Sequence, residues 1–258
     1  MSFTFRKQMF AGYQSTRPKM DDGLSKQFEI IRGVLEKAKI CVFDLDGYEA
    51  DDLIGTLSVQ AVKQGKVDQV IILTGDRDLL QLVNDKVLIL APIVGVTKMI
   101  MFDEQAVREK YGLDPSQFVD YKALVGDNSD NYPGVGGIGP KGAANLLNKF
   151  QTLEGIYNNL GEINPNLALK LATDAEQSAM AKKLAQIEIN APIHLKFADC
   201  KVSSIDREVL LKEFERLDFN SLITRFKLDH PTSHKASQDK KIKQEKKEKE
   251  MEDQLGLL

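Results

Sequence analysis

The sequence predicts an α/β layer built on a largely parallel sheet, followed by a helical region. Two observations carry that expectation. Up to about residue 103, short apolar strand-like runs alternate with amphipathic stretches of helical period. Beyond it the strand signal fades and only helical periodicity continues. A third observation marks where chemistry sits on this frame. Three acidic clusters, Glu49-Ala-Asp51-Asp52, Asp76-Arg-Asp78 and Asp127-Asn-Ser-Asp130, each fall where a strand or helix should begin or end.

Residues 1–20 are basic, with Arg6, Lys7, Arg17 and Lys19 interleaved with Phe3, Phe5, Phe10 and Tyr13. A helix is expected over 24–38, where Leu24, Phe28, Ile31, Leu35 and Ala38 recur at helical spacing. Ile40 to Leu45 reads as a short buried strand. Glu49 to Gln64 reads as a helix with acids in its first turn, where the helix dipole favours them. Val70 to Thr74 is an apolar strand running into Gly75-Asp76, and Asp78 to Val83 a short helix. Val87 to Leu90 and Lys98 to Phe102 form an expected hairpin around Pro92 and Gly95. Helices are then expected at 103–111, 116–125, 140–150, 152–158, 165–172, 175–187 and 206–217. Residues 229–237 are polar and linker-like, and 238–253 form a charge-balanced tail that suits a solvated helix better than a nucleic-acid arm.

Composition narrows the class. The chain has 258 residues, 42% hydrophobic, with a net charge of −3. The mild acidity argues against nucleic acid only weakly, because a carboxylate site supplies much of it. The two cysteines, Cys41 and Cys200, suggest neither a disulfide framework nor a zinc site. His194, His230 and His234 show no ligand spacing. No apolar run approaches the ~20 residues of a membrane span. The first residues lack the apolar stretch of a signal peptide. A soluble cytoplasmic monomer with no membrane partner is expected.

The acidic clusters carry the chemistry. Glu49 and Asp52 are three apart, so one helical face can present both. Acids at the carboxyl end of a strand lie where open α/β sheets bind ligands. An N-cap role would explain one of Asp76 and Asp78, but not both. Asp127 and Asp130 alone would be ordinary turn chemistry. The next segment goes beyond turn chemistry: Gly134-Val135-Gly136-Gly137-Ile138-Gly139-Pro-Lys141 is a hairpin of small residues entering a helix. Glycines there let backbone N–H groups approach phosphates, and a helix N-terminus favours anions. The Lys-Ser/Thr ending of a Walker loop is absent. Seven carboxylates in one cleft repel unless cations fill it, and an all-oxygen set suits Mg²⁺ or Mn²⁺. Two such ions about 3.5–4 Å apart are a common apparatus for phosphodiester cleavage.

These segments resemble the bacterial 5′–3′ exonuclease and flap endonuclease family, which occurs fused to DNA polymerase I or alone. The matching motifs are Phe5-Arg6 through Tyr13 and Arg17, then GYEADDLIGTL, TGDRDLLQL and VGDNSDNYPGVGGIGPKGAANLL; the match covers roughly residues 3–228. The resemblance implies a PIN-like nuclease core at 1–103, a DNA-binding region at 104–228 containing a helix–three-turn–helix, and the tail at 229–258. It implies a two-metal phosphodiesterase in which Glu49, Asp51, Asp52, Asp76, Asp78, Asp127 and Asp130 hold Mg²⁺ or Mn²⁺. One ion would make a water more acidic and the other would stabilise the leaving oxygen. Residues 134–146 would grip duplex backbone, with K⁺ as a further expected ion. Residues 5–20 match the end of a helical arch, with Arg6 and Arg17 as phosphate contacts in catalysis. The expected substrate is DNA with a 5′ end or 5′ flap, in replication and repair, with DNA polymerase I acting in trans as the expected protein partner.

Two departures from the family pattern bear on activity. The family begins with a further strand ending in a metal-ligand aspartate, and has a second aspartate shortly before the segment matching Phe5. Met1 lies after both. An N-terminally truncated core with exposed strand edges is therefore expected, and weak cleavage. Gln14 also stands where the family usually has an arch lysine. Three other readings compete. Val42-Phe-Asp44-Leu-Asp46-Gly47 resembles the nucleophile motif of haloacid dehalogenase-type phosphatases, but Tyr48 stands where a hydroxyl residue is expected after the glycine, and the hairpin has no role there. A non-catalytic protein that binds branched DNA would keep the hairpin without the chemistry. An RNA nuclease of related fold is disfavoured by the hairpin.

Overall fold

The computed structural model describes residues 4–95 and 98–228; the tail expected at 229–258 lies outside the described residues. The chain forms two compact units. Among the described residues, one comprises residues 4–19, 43–95 and 98–195, the other 20–42 and 196–228.

In chain order the structure opens with a short helix, α1 (Phe5–Met9), in the first unit and a long one, α2 (Asp22–Lys37), in the second. The first unit resumes with α3 (Ala50–Lys63), β1 (Val70–Leu73), a 3₁₀ turn at Asp78–Leu82, β2 (Val87–Val94) and β3 (Lys98–Phe102). β1 and β2 pair in parallel with Ile72 opposite Ile89, and β2 and β3 pair antiparallel. The register slips between Pro92 and Val94, where a proline with no N–H interrupts the ladder. The sheet is therefore one parallel pair extended by a hairpin.

The period-two rule sorts the strand side chains. Ile72 and Ile89 point into a core shared with Leu79, Leu80, Val107, Phe118 and Ile187. Ile71 and Leu73 point the other way and are 52% and 67% exposed. The segment Ile40–Leu45, expected as a buried strand, is not one: it carries no ladder pairing, and Val42 and Phe43 are exposed. A run of apolar residues becomes a strand only where a partner edge supplies hydrogen bonds, and none does so here.

The next helices are α4 (Glu104–Tyr111) and α5 (Phe118–Val125). A two-residue ladder, β4 (Gly126–Asp127) with β5 (Tyr132–Pro133), leads to α6 (Pro140–Phe150), α7 (Leu153–Asn158), α8 (Pro165–Thr173) and α9 (Ala175–Ala185). α5 is the hub. Phe118 enters the sheet core, Val119 joins Tyr13, Tyr132 and Leu184, and Ala123 and Leu124 join the helical core of Leu146, Leu147, Ile156 and Leu171. Such all-round burial explains why α5 lacks a clear polar face.

The second unit packs Val34 and Ala38 of α2 against Leu210 of α10 (Arg207–Arg216), with Phe214 and Phe226 beside them. Phe226 belongs to α11 (Asn220–Leu228), which the helical pattern of the sequence does not single out. Asp21 caps α2 by accepting from the N–H groups of Gly23 and Leu24, as an N-cap aspartate does. The first turns of α2 expose Leu24, Phe28 and Ile31.

Candidate metal and phosphate site

The acidic clusters come together in the first unit by three routes. Glu49 is the N-cap of α3, so Asp51 and Asp52 lie in its first turn. Gly75 ends β1, and Asp76 accepts from the N–H of Asp78 at 3.0 Å in an Asx turn. Asp127 closes α5, accepting from the N–H of Ser129 at 2.7 Å and of Asp130 at 3.2 Å.

Lys122, one turn back on α5, joins two of these groups. Its Nζ lies 2.5 Å from Asp78 Oδ1 and also contacts Asp127 Oδ2. Against a desolvation that lowers it, the two aspartates raise the Lys122 ammonium above its ordinary value. Burial works against Asp127 as well, but Lys122 and Ser129 hold it below the usual carboxylate range. Burial dominates at Asp78 and pushes it up despite Lys122. Asp51 is pushed up to about 7, first by burial and then by Asp76, Asp78, Glu49 and Asp52. Asp51 thus lies within electrostatic reach of Asp76, Asp78, Glu49 and Asp52.

A second bridge joins Glu49 to Asp130. The Tyr13 hydroxyl lies 3.1 Å from Glu49 Oε2 and 2.9 Å from Asp130 Oδ2. It has one proton for two carboxylates, and its ionisation is strongly disfavoured by burial and both acids. Burial likewise raises Glu49. Asp130 Oδ1 accepts from Arg17 at 2.5 Å and from Gln14 Nε2 at 3.2 Å. The backbone is stitched too, since Gln14 N–H donates to Asp130 O at 2.8 Å. Gln14 and Asn131 both take left-handed φ, 55° and 56°, a conformation that costs energy in a non-glycine residue. The Tyr132 ring stacks on Tyr13 with centroids 6.4 Å apart.

Arg6 and Asp52 sit differently from expectation. Asp52 is fully buried and Arg6 2% exposed. Arg6 Nη1 and Nη2 each donate to Asp52 at 2.7 Å, a bidentate pair. Arg6 also donates to the carbonyls of Leu184 at 2.9 Å and Gln186 at 2.7 Å. Asp52 in turn accepts from the N–H groups of Glu49 at 3.0 Å and Glu188 at 2.9 Å. Both Asp52 oxygens and the Arg6 fork are thereby engaged inside the protein. Arg6, expected to meet phosphate, is enclosed; Arg17, its side chain 51% exposed, is reachable.

Among the described residues, no three His, Cys, Asp or Glu side chains already stand in ligand geometry around one point. The donor chemistry nonetheless fits a hard divalent ion. Asp51, Asp76, Asp78 and Asp127 are all oxygen donors, none is fully buried, and Asp51 lies within electrostatic reach of Asp76 and Asp78.

The hairpin is built on close backbone approach. A Cβ on Gly134 would lie 2.3 Å from Leu124 O, and one on Gly126 (φ 76°) 2.4 Å from Gly134 N. Val135 and Ile138 are buried and anchor the turn in the helical core, while Gly136, Gly137, Gly139 and Lys141 are exposed. Gly139 precedes Pro140 at the first position of α6, a favourable helix start. Gly136 N–H donates to Asp174 Oδ2 at 2.7 Å.

Lys122 and Tyr13 are site residues that the sequence motifs do not single out. Lys122 lies five residues before Asp127 on the helix that delivers it, and that spacing is the available signal. Tyr13 stands in the sequence only as one aromatic among basic residues.

Comparison with known proteins places this geometry. The family model for the 5′-3′ exonuclease N-terminal resolvase-like domain matches residues 2–112, and that for the 5′-3′ exonuclease C-terminal SAM fold matches residues 113–208. DNA polymerase I of Bacillus caldotenax is 40% identical over 231 residues, covering 89% of this chain and 26% of that protein. DNA polymerase I of Bacillus subtilis (strain 168) is 38% identical over 240 residues, covering 93% and 27%. The chain thus spans about a quarter of the length of these relatives. Among solved structures, the bacteriophage T5 5′-exonuclease with bound zinc superposes with a TM-score of 0.61 at 24% identity, covering 83% of this chain and 78% of that one. The catalytic core of Rad2 in complex with DNA substrate gives 0.50 at 16% identity, covering 82% and 70%. These likenesses show the fold: a resolvase-like α/β part and a SAM-like helical part.

Proposed function

The chain belongs to the 5′–3′ exonuclease family, and from that premise we propose that it hydrolyses DNA phosphodiesters at 5′ ends and 5′ flaps, selecting its substrate by structure rather than sequence. The observation that carries this reading is that Lys122 joins Asp78 and Asp127 from two chain segments, with Asp51 of a third segment within electrostatic reach of Asp76 and Asp78. Those four acids, with Glu49 and Asp130 tied behind them through Tyr13, are assigned to two Mg²⁺ or Mn²⁺ ions. A structural neighbour binds divalent zinc, which supports a divalent cofactor here. When bound, such ions supply a more acidic water and stabilise charge on the leaving oxygen.

The remaining roles belong to the chain itself. Asp52, sealed by Arg6, fixes the start of α3 and so orients Asp51. Arg17 meets the phosphate backbone near the acids. The exposed backbone of Gly137 and Gly139, with Lys141, holds the duplex strand, whereas Gly134 is buried and the Gly136 N–H is taken by Asp174; K⁺ is the proposed ion of that hairpin. Residues 1–103 serve as nuclease core and 104–228 as DNA-binding region. The chain acts as a monomer in the cytoplasm, in replication and repair, with DNA polymerase I as its partner in trans.

The test is cleavage of a 5′-flap duplex with Mg²⁺, with Mn²⁺ and with EDTA. Turnover should need the metal, and Asp78→Asn or Asp127→Asn should lower it at least about 100-fold while flap binding persists. Binding should weaken linearly in log–log terms with salt, at roughly −0.9 per phosphate contacted. Flap binding without cleavage in either metal would replace this reading with that of a non-catalytic branched-DNA binder.

A further inference from the structure

The only two cysteines of the chain, Cys41 and Cys200, are far apart in sequence and adjacent in the second unit. Cys41 lies after α2 and Cys200 before α10. Cys41 Sγ donates to the carbonyl oxygen of Asp199 at 2.9 Å, which sets it beside the residue that precedes Cys200. The segments that carry them are already fastened. Asp206 N–H donates to Ala38 O at 2.9 Å, Lys37 Nζ lies 2.7 Å from Glu213 Oε1, and Val34 and Ala38 pack on Leu210. Both thiols are partly accessible. Neither belongs to the acidic site or the hairpin.

We propose that Cys41 and Cys200 form a peroxide-responsive dithiol that closes reversibly into an intrachain disulfide. In the first step Cys41 Sγ attacks one oxygen of hydrogen peroxide; an S–O bond forms, the O–O bond breaks and one water leaves. In the second step Cys200 Sγ attacks the Cys41 sulfur; the S–S bond forms, the S–O bond breaks and the hydroxyl leaves as a second water with the remaining thiol proton. The two sulfurs together give up two electrons and the peroxide takes them. Burial, together with the neighbouring Cys41, pushes the Cys200 thiol up to about 11, which disfavours it as the group that attacks peroxide first. Disulfides in reducing compartments are typically transient, and this one returns to the dithiol with any small thiol reductant. Its effect is a covalent tie between the end of α2 and the approach to α10.

The experiment uses the full chain, with stoichiometric hydrogen peroxide, maleimide capping of free thiols, intact mass and non-reducing peptide mapping. The expected product is a monomer lacking two hydrogens, unlabelled at both cysteines, with one peptide joining the segments around residues 41 and 200. Dithiothreitol should restore both labels, and the oxidised form should unfold at higher urea than the reduced form. Cys41→Ser and Cys200→Ser should each fail to give the linked peptide. Oxygen addition without a link, or disulfides only between chains, overturns the proposal. The wild-type chain with and without reductant is decisive even if a serine variant folds poorly.

Discussion

Replacing Arg6 by Met should be among the most destabilising single changes in the first unit. The substitution keeps much of the aliphatic stem and removes four donated hydrogen bonds, two to Asp52 and one each to the carbonyls of Leu184 and Gln186. Asp52 is 0% exposed, so its charge would stay behind in a site water does not reach. Breaking one side of a buried pair in this way costs about 3–5 kcal/mol. Asp52→Leu should cost a similar amount, because the N–H groups of Glu49 and Glu188 lose their acceptor at about 1–3 kcal/mol each. The double variant removes both charges together, so its cost should fall short of the sum by about 2 kcal/mol or more. Equilibrium urea denaturation followed by far-ultraviolet circular dichroism reads all three. Strict additivity, or a loss below about 1 kcal/mol for Arg6→Met, would mean that the pair is not the sealed unit described. A companion titration separates structure from metal binding: Mg²⁺ should still raise the melting temperature of a folded Asp52→Asn chain, and should do so less for Asp78→Asn.

The same geometry sets other outcomes. Asp51 has its folded pKa raised from 3.8 to about 7, so its protonated form favours the fold at low pH and that contribution is lost as pH rises from about 4 through about 7; melting in EDTA should fall between about pH 4 and 8, by up to about 4 kcal/mol in stability, and Asp51→Asn should flatten the slope. Lys122→Met leaves Asp78 and Asp127 facing each other without their shared cation; a loss of about 2–3 kcal/mol is expected in EDTA, smaller in Mg²⁺, and equal losses in both would refute the counter-ion role. Gly134→Ala puts a methyl 2.3 Å from Leu124 O, and should lower stability by at least about 2 kcal/mol in urea titrations. Gln14→Lys should raise flap cleavage about tenfold or more in single-turnover assays if a cation there assists the phosphate; an unchanged rate would assign Gln14 only to holding Asp130.

Much of the architecture is legible in the sequence because its signals are local. The helices from α3 to α10 lie within a few residues of their expected spans, since periodicity and caps such as Asp103 and Thr152 are written in short windows. The Ile40–Leu45 segment is not legible, because strand formation depends on a partner edge elsewhere in the chain. The acidic site is half legible. Which acids would gather can be read from their placement at element ends. That Asp52 turns fully inward while its neighbour Asp51 stays partly exposed cannot, because the groups that enclose Asp52 come from Arg6 and from backbone near residues 184–188. Lys122 and Tyr13 are obscured for the same reason: a lone lysine on a helix and a tyrosine in a basic stretch gain their meaning from partners remote in sequence.

The stitching of residues 12–17 onto the 127–131 loop has a mechanical consequence. Tyr13, Gln14 and Arg17 all bond Asp130, the backbone of Gln14 adds a fourth tie, and Asn131 Nδ2 returns one to the carbonyl of Gly12. The two segments are thus held together by both side-chain and backbone hydrogen bonds. Arg17 is thereby connected through Asp130 and Tyr13 to Glu49. The residue 12–17 segment and the acids therefore belong to one hydrogen-bonded network, in which Asp130 and Tyr13 are the shared links to Glu49.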